Sequence, residues 1–160
     1  NLFVLDVVPA WMSNRLSRLI KAPKRYVVDP ALVTTALRMD RAGILRDGDL
    51  LGRILDTFVM AQLRAELDVS ATRPRLYHLR EKEGRHEVDI VAEVAAGIVG
   101  IEVKASAAPG TDDAQHLVFL REKLGSQFLC GAVLHTGPRA FVLSERVLAL
   151  PISALWGRRA

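Results

Sequence analysis

Apolar residues at helical spacing mark the strongest helix that the sequence predicts. From Asp49 onward, LLGRILDTFVMAQLRAEL carries a stripe of apolar side chains three and four positions apart: Leu51, Ile54, Leu55, Phe58, Val59 and Leu63. A stripe of this kind must pack against another layer of the protein. Asp56 lies at the margin of the stripe, so we expect its carboxylate to face a sheet rather than open solvent.

Alternation of apolar and polar residues predicts a β-hairpin in RHEVDIVAEVAAGIVGIEVKAS. A two-residue turn at Ala96-Gly97 would pair residue 94 with 99, 91 with 102 and 89 with 104. This register puts the apolar residues of the alternation on one face and Asp89, Glu102 and Lys104 on the other, whereas a slip by one residue would mix the faces. Diagonal neighbours about 7–8 Å apart would then leave room for one ion between Asp89 and Glu102.

Shorter segments complete the predicted fold. Strands are expected at 2–8, 25–28, 76–79, 127–134 and 140–143, with the fourth suited to a buried strand parallel to a neighbour. Short helices are expected after the caps Asp29 and Thr111-Asp112 and from Pro151 to Trp156, while 41–49 is predicted to be a loop. The order of elements favours an α/β fold with a mixed sheet flanked by helices. We expect residues 1–45 to form an N-terminal connector segment packed on the main fold, and 46–160 to form the α/β domain.

Composition narrows the class of protein. With 160 residues, 50% of them hydrophobic and 25% charged, one domain with a full core is expected. No apolar run reaches the roughly 20 residues that span a bilayer, so no membrane partner is expected. The single cysteine, Cys130, excludes an internal disulfide and favours the cytoplasm. Because the chain starts at Asn1 and continues as an apolar run, we expect it to be the C-terminal part of a longer protein.

Basic residues are unevenly distributed. The net charge of +4 includes a stretch without acids that contains Arg15, Arg18, Lys21, Lys24 and Arg25. Such a stretch could bind phosphates with an affinity that falls as salt rises, or it could be a solvated connector. Near the hairpin, the candidate nucleic-acid-binding residues are Arg80, Lys82, Arg85 and His86, with ordinary surface charge as the alternative.

The acids and the lysine of the hairpin suit metal-assisted cleavage of phosphodiesters. That reaction uses a cation to polarise the phosphoryl oxygen and to generate hydroxide, and Mg²⁺ prefers oxygen ligands. Asp89 and Glu102 could supply carboxylates, the Val103 carbonyl a third oxygen, and Asp56 could complete the cluster. Lys104 could position the attacking water. The alternatives are a Glu/Lys ladder that serves solubility and an acidic face that serves stability alone.

Several segments resemble one known family. ILDTFVMAQL, LYHLREKEGRHEVDIV, GIEVKAS and LPISALW, with APKRYVVDPALV near the start, are similar to the C-terminal domain of prokaryotic AAA-type ATPases. That family is called domain of unknown function 4143. The resemblance implies a PD-(D/E)xK nuclease-like fold, related to restriction endonucleases and Holliday-junction resolvases. It also implies an ATPase domain upstream, where ATP would bind, since no Walker-type glycine loop occurs in these residues.

The resemblance also implies roles for individual residues. Asp89 matches the metal-binding acid of the motif, Glu102 the second acid and Lys104 the catalytic lysine, with Mg²⁺ or Mn²⁺ as the implied cofactor. Asp56 stands where the family's helix usually has Glu, so it has a shorter reach. Gln115 resembles a glutamine that some resolvases carry on the next helix.

Two functions are therefore open from the sequence. One is a metal-dependent nuclease domain that acts on DNA under the control of the ATPase domain of the same polypeptide, as a homodimer if cutting is two-fold symmetric. The other is a non-catalytic module that recognises nucleic acid or protein and couples this recognition to ATP use.

Overall fold

Eight strands and four α-helices make up the computed structural model, which describes residues 4–14, 21–81 and 85–157. The strands are β1 (Leu5–Val8), β2 (Lys24–Val27), β3 (Arg75–Arg80), β4 (Glu87–Val94), β5 (Gly97–Lys104), β6 (Phe128–His135), β7 (Phe141–Ser144) and β8 (Val147–Pro151). The α-helices are α1 (Pro30–Leu37), α2 (Arg41–Arg46), α3 (Gly48–Asp68) and α4 (Gln115–Leu124). Turns of 3₁₀ helix cover Thr111–Ala114, Gly125–Gln127 and Ile152–Trp156.

A six-stranded mixed sheet organises the fold in the order β3-β4-β5-β6-β8-β7. Neighbours β3, β4 and β5 run antiparallel, β6 lies parallel to both β5 and β8, and β7 is antiparallel to β8. The parallel step from β5 to β6 passes through α4, as parallel neighbours require a crossover. The predicted α/β class with a mixed sheet flanked by helices is confirmed, and so is the parallel strand after the helical crossover.

Helices cover both faces of this sheet. On one face, α3 contributes Val59, Met60 and Leu63 to a buried cluster that includes Ile90 and Ile101; we call this the α3-side core. On the other face, α4 contributes Leu117 and Leu120 to a second cluster with Val91, Phe128 and Val133; we call this the α4-side core. The central strands β4 and β5 are therefore an inner layer, whereas Val142 of β7 and Leu148 of β8 are exposed.

Aspartate side chains cap the starts of α1 and α3; the cap at Asp29 was predicted from the sequence, and the cap at Asp47 was not. The predicted cap at Thr111-Asp112 is wrong, because Gly110 is the N-cap there. The Asp29 carboxylate accepts a hydrogen bond from the Ala31 amide at 2.8 Å, at the start of α1. Asp47 does the same for Leu50 at 3.0 Å, so α3 begins at Gly48, close to the predicted Asp49. These carboxylates satisfy amides that have no partner within the helix.

Three parts of the secondary structure differ from the sequence prediction. The loop predicted for 41–49 is wrong, because Asp40 caps the short helix α2 by accepting from the Gly43 amide at 2.8 Å. The strand β8 was not predicted, although it lies between β6 and β7 in the sheet. The helix predicted after Thr111 begins as a 3₁₀ turn and becomes α-helical only at Gln115.

The central hairpin has a different register from the one predicted. Val94 pairs with Gly97 and Ile90 with Ile101, so the two-residue turn is at 95–96 rather than 96–97. Gly97 has φ +151°, and a Cβ there would lie 2.4 Å from the Gln127 carbonyl oxygen. Only glycine suits this conformation and close approach. The shift of two residues in the pairing preserves the alternation of faces and brings residue 89 opposite residue 102.

A bulge in β4 changes the faces that the alternation predicts. Tyr77 pairs with Val91, but Leu79 pairs with Val88, so β4 carries one extra residue between these two pairs. Val88 accordingly packs in the α4-side core, whereas Ile90 packs in the α3-side core. The prediction that all apolar residues of the hairpin share one face is therefore wrong. Bulges re-aim neighbouring side chains, and this one lies at Asp89.

Part of the N-terminal segment packs against the main sheet. Val8 and Tyr26 are buried in the α3-side core, and the backbone of Trp11 donates to the His78 carbonyl at 2.6 Å. The Arg64 guanidinium of α3 lies 2.5 Å from the Asp6 carboxylate. Within the described ranges, no helix is long and apolar enough to cross a membrane.

Candidate metal and phosphate site

The predicted acids and lysine line one open cavity of about 380 Å³. It lies between the start of α3, the hairpin and the start of α4, and we call it the acidic cavity. Its lining residues are Gly48, Asp49, Gly52, Arg53, Asp56, Glu87, Asp89, Glu102, Val103, Lys104 and His116. The structure thus brings together all four residues that the sequence assigned to metal binding, and Lys104 with them.

Asp89 lies where β4 and β5 separate. The last pair of the ladder is Ile90 with Ile101, and beyond it the Val103 amide donates to Asp89 Oδ2 at 3.1 Å. A side-chain carboxylate therefore replaces the backbone partner that this amide would otherwise have. The other oxygen, Oδ1, lies 3.0 Å from Lys24 Nζ. Both oxygens of Asp89 are thus held in place by the fold.

Glu102 is the most deeply buried acid of the cavity, with 3% of its surface exposed. Its Oε2 lies 3.6 Å from Lys104 Nζ, and its buried Oε1 has no hydrogen-bond partner among the described residues. Burial, and next the negative charge of Asp89, raise the pKa of Glu102 well above its usual range. When Glu102 is protonated it can donate its proton to Asp89, whereas the ionised form leaves Oε1 without a donor.

Asp56 lies on α3 and is connected to Asp89 by Lys24, which pairs with both carboxylates. Lys24 Nζ lies 2.7 Å from Asp56 Oδ2 as well as 3.0 Å from Asp89 Oδ1. The Tyr26 hydroxyl donates to Asp56 Oδ1 at 3.4 Å. Burial and the neighbouring Asp89 raise the pKa of Asp56, and Lys24 opposes this increase. For Lys24, burial lowers the pKa, but the two carboxylates outweigh it and raise the pKa above its usual range.

The candidate nucleic-acid-binding residues occupy different positions. The Arg80 side chain is exposed and lies 3.6 Å from the Glu87 carboxylate. Arg85 is exposed as well. His86 is half-buried and stacks on Phe119 of α4, with ring centroids 3.7 Å apart. Lys82 lies outside the described residues.

At the start of α4, a histidine rather than the predicted glutamine lines the acidic cavity. Gln115 is exposed, and its neighbour His116 is the α4 residue among those that line the cavity. The rings of His116 and His86 meet edge to face at 5.8 Å. Burial, and next His86, lower the pKa of His116. His116 is therefore expected to be neutral at pH 7.

A second, larger cavity of about 670 Å³ adjoins the acidic one and shares Arg53 and Glu87 with it. We call it the basic cavity, because five of its lining residues are cationic: Lys21, Lys24, Arg25, Arg53 and Arg80. The basic stretch of the N-terminal segment contributes three of them. The fold thus places Lys21, Lys24 and Arg25 in a cavity that adjoins the one lined by the acids.

Sequence reasoning missed the roles of Lys24 and Tyr26. Both lie in APKRYVVDPALV, a segment that carries the family resemblance, yet Lys24 was considered only as part of a basic stretch that could bind phosphates, and no contact with the acids was expected. They lie more than 25 residues before Asp56 in the chain, so spacing alone gave no reason to join them. The signal that could have found Lys24 is its place in a basic stretch without acids.

The residues fit a divalent cation only in part. Carboxylate oxygens are suitable donors for Mg²⁺ or Mn²⁺, and the unpartnered Glu102 Oε1 is a buried oxygen beside Asp89. Within the described ranges, however, no three His, Cys, Asp or Glu groups converge closely enough to hold one ion. The cation between Asp56 and Asp89 is the ammonium group of Lys24.

Comparison with known proteins identifies a family without an assigned activity. A family model described as Domain of unknown function (DUF4143) matches residues 51–155. An uncharacterized protein of Mycobacterium bovis is 29% identical over 150 residues, which cover 94% of this chain and 32% of that protein. An uncharacterized protein of Mycobacterium tuberculosis matches with the same identity and coverage. The chain spans about a third of the length of these relatives. It belongs to the family described as Domain of unknown function (DUF4143).

Proposed function

We propose that this domain is a metal-dependent, PD-(D/E)xK-type nuclease-like domain that acts on DNA phosphodiesters and forms the C-terminal part of an AAA-type ATPase. The observation that carries the proposal is the meeting of Asp89, Glu102 and Lys104 in one cavity, where Glu102 Oε1 is buried without a partner. A buried, unpaired carboxylate oxygen is costly to the fold. Such a cost is typical of functional sites.

In this proposal the acids hold a divalent cation, and Lys104 holds the attacking water or stabilises negative charge on the phosphate. Asp89 and Glu102 would bind Mg²⁺ or Mn²⁺, with the Val103 carbonyl and Asp56 as further candidate ligands. When bound, the ion would polarise the phosphoryl oxygen and lower the pKa of a water molecule. Lys104 Nζ, 3.6 Å from Glu102 and about a third exposed, can hold that water or the negative charge that develops on the phosphate.

The basic cavity supports a polyanionic substrate. Its five cationic side chains line a cavity that adjoins the acidic one, with Arg53 lining both, so a DNA backbone bound there would present phosphates to Asp89 and Glu102. Arg80 lines the basic cavity. His86 contacts His116, which lines the acidic cavity. Binding through such contacts should weaken steeply as salt concentration rises.

The first experiment measures Mn²⁺ binding by calorimetry and then plasmid nicking, with wild type and Glu102→Gln. We expect wild type to bind and to nick, and the variant to lose both, because the glutamine removes the charge with almost no change in shape. Glu145→Gln is the control, since the Glu145 side chain is 79% exposed and lies outside the cavity. Absence of Mn²⁺ binding in wild type, or nicking that persists in Glu102→Gln, would refute the metal-dependent nuclease proposal.

A second candidate function is a non-catalytic module that recognises nucleic acid or protein for the ATPase. The observation that favours it is the Lys24 bridge, which compensates two of the acids without any metal. DNA binding that is independent of Mn²⁺, without nicking, would support this candidate. Under either candidate we also propose an ATPase domain that binds ATP in the same polypeptide, a homodimer and a cytoplasmic location.

A further inference from the structure

Nearly every carboxylate oxygen of Asp56, Asp89 and Glu102 already has a partner. Lys24 Nζ lies 2.7 Å from Asp56 Oδ2 and 3.0 Å from Asp89 Oδ1. Asp89 Oδ2 accepts from the Val103 amide, and Asp56 Oδ1 from the Tyr26 hydroxyl. An ion placed between Asp56 and Asp89 would therefore meet the Lys24 ammonium group, which occupies that position.

Lys24 is held at this position by electrostatics rather than by deep burial. Its side chain is 23% exposed, and those of Asp56 and Asp89 are 16% and 20% exposed. Two carboxylates this close, with little water around them, repel each other, and a cation between them removes the repulsion.

A second position, in the basic cavity, is available to the Lys24 side chain. Lys24 is the first residue of β2 and lines the basic cavity as well. It is contributed by a segment that precedes the residues matched by the family model, 51–155. The side chain could turn from the acids toward the basic cavity, where a phosphate would attract it, without a change in the main sheet.

We propose that Lys24 is a tethered cation that occupies the position between Asp56 and Asp89 and competes with a divalent metal ion for it. The inference rests on the proposed metal site and adds that the site is charge-compensated without metal. Loss of Lys24 should strengthen metal binding instead of weakening it. A lysine remote from the acids, or one that acted only by contacting the substrate, would not have this effect on the free protein.

The test is Mn²⁺ calorimetry, in the absence of DNA, on wild type and Lys24→Met, which removes the charge and keeps the aliphatic stem. We expect the variant to bind Mn²⁺ about tenfold more tightly, within the range of roughly 5- to 150-fold that is typical of coupled binding. Lys24→Arg should stay close to wild type. Lys21→Met is the matched control, because Lys21 lines the basic cavity together with Lys24, whereas the ion pairs with Asp56 and Asp89 are made by Lys24. Its Mn²⁺ affinity should be unchanged.

Equal or weaker Mn²⁺ binding by Lys24→Met, with binding by wild type intact, would overturn this inference and leave the proposed metal site standing. Absence of binding in both proteins would overturn both. If Lys24→Met does not fold, the double variant Lys24→Met/Asp56→Asn removes one charge of each sign and is compared with Asp56→Asn alone. The double variant should then be the tighter binder, and the reverse order would overturn the inference.

Discussion

Replacement of Glu102 by glutamine should stabilise the protein at neutral pH while removing the response to metal. The ionised Glu102 has 4% of its side chain exposed, no hydrogen bond to Oε1, and Asp89 close by. A glutamine keeps the shape and carries no charge. Its amide group can donate to Asp89, as the protonated carboxyl group would. The substitution therefore removes an unfavourable burial of charge at the cost of the Lys104 ion pair.

The expected change in the free energy of unfolding is the difference between two opposing contributions. A buried polar group without a partner costs about 1–3 kcal/mol, and more when it is charged. The ion pair with Lys104 is long, at 3.6 Å, and Lys104 is about a third exposed, so its loss should cost less than about 1 kcal/mol. The net gain should be about 2 kcal/mol. For a protein of this size, that raises the melting temperature by about 4–8 °C.

The pH dependence gives the sharper assay. Because the pKa of folded Glu102 lies above its ordinary value of 4.5, wild type loses stability as the pH rises from the unfolded toward the folded pKa. The advantage of Glu102→Gln should therefore be full above the folded pKa and should shrink as the pH falls toward 4.5. Thermal melts of both proteins at about pH 8 and about pH 5, without divalent ions, measure this difference.

Glu145→Gln is the control for these melts, because its carboxylate is exposed and a surface change usually stays within about 0.5 kcal/mol. An unchanged or lower melting temperature of Glu102→Gln at about pH 8 would refute the claim that Glu102 is buried at a cost. An advantage of equal size at both pH values would show that its origin is not the ionisation of Glu102.

Two further predictions concern the scaffold that carries the site. Leu117→Ala should cost about 3 kcal/mol of unfolding free energy in urea, since Leu117 is fully buried on Gly100 and Gly131. In the same assay the exposed Val69→Ala should change little, and equal losses would contradict the placement of α4. Asp47→Ala should cost about 1 kcal/mol through loss of the α3 cap. Asp49→Ala removes an exposed pair with Arg53 and a first-turn acid of α3 but no cap hydrogen bond, and it should cost less than Asp47→Ala.

Elements with local signals were the ones that the sequence predicted well. Asp29 caps α1 as expected, and α3 begins within one residue of its predicted start, because capping depends on residues only two or three apart. The strands β3, β4, β5 and β6 follow from apolar content and alternation. The helix α2 was missed because its six residues, RAGILR, include a glycine and too few apolar positions for a periodic stripe.

The turn of the hairpin shows how far local patterns reach. Alternation fixes parity, so a turn at 95–96 and a turn at 96–97 differ by two residues in pairing and give the same faces. What selects between them is the close approach of Gly97 to the Gln127 carbonyl, a contact with the segment before β6. That contact is non-local, so the hairpin sequence contains no sign of it.

The candidate site depends on the same non-local features. The acids and Lys104 were predicted to come together, and they do line one cavity. Their exact relation is set by the extra residue of β4 next to Asp89, where the bulge ends the ladder and leaves the Val103 amide to the carboxylate. The charge balance is set by Lys24, which is 65 residues from Asp89 in the chain. Because like charges cannot be buried together without compensation, an acidic cluster predicted from sequence implies a counter-ion. Here the counter-ion is Lys24, which comes from the N-terminal segment.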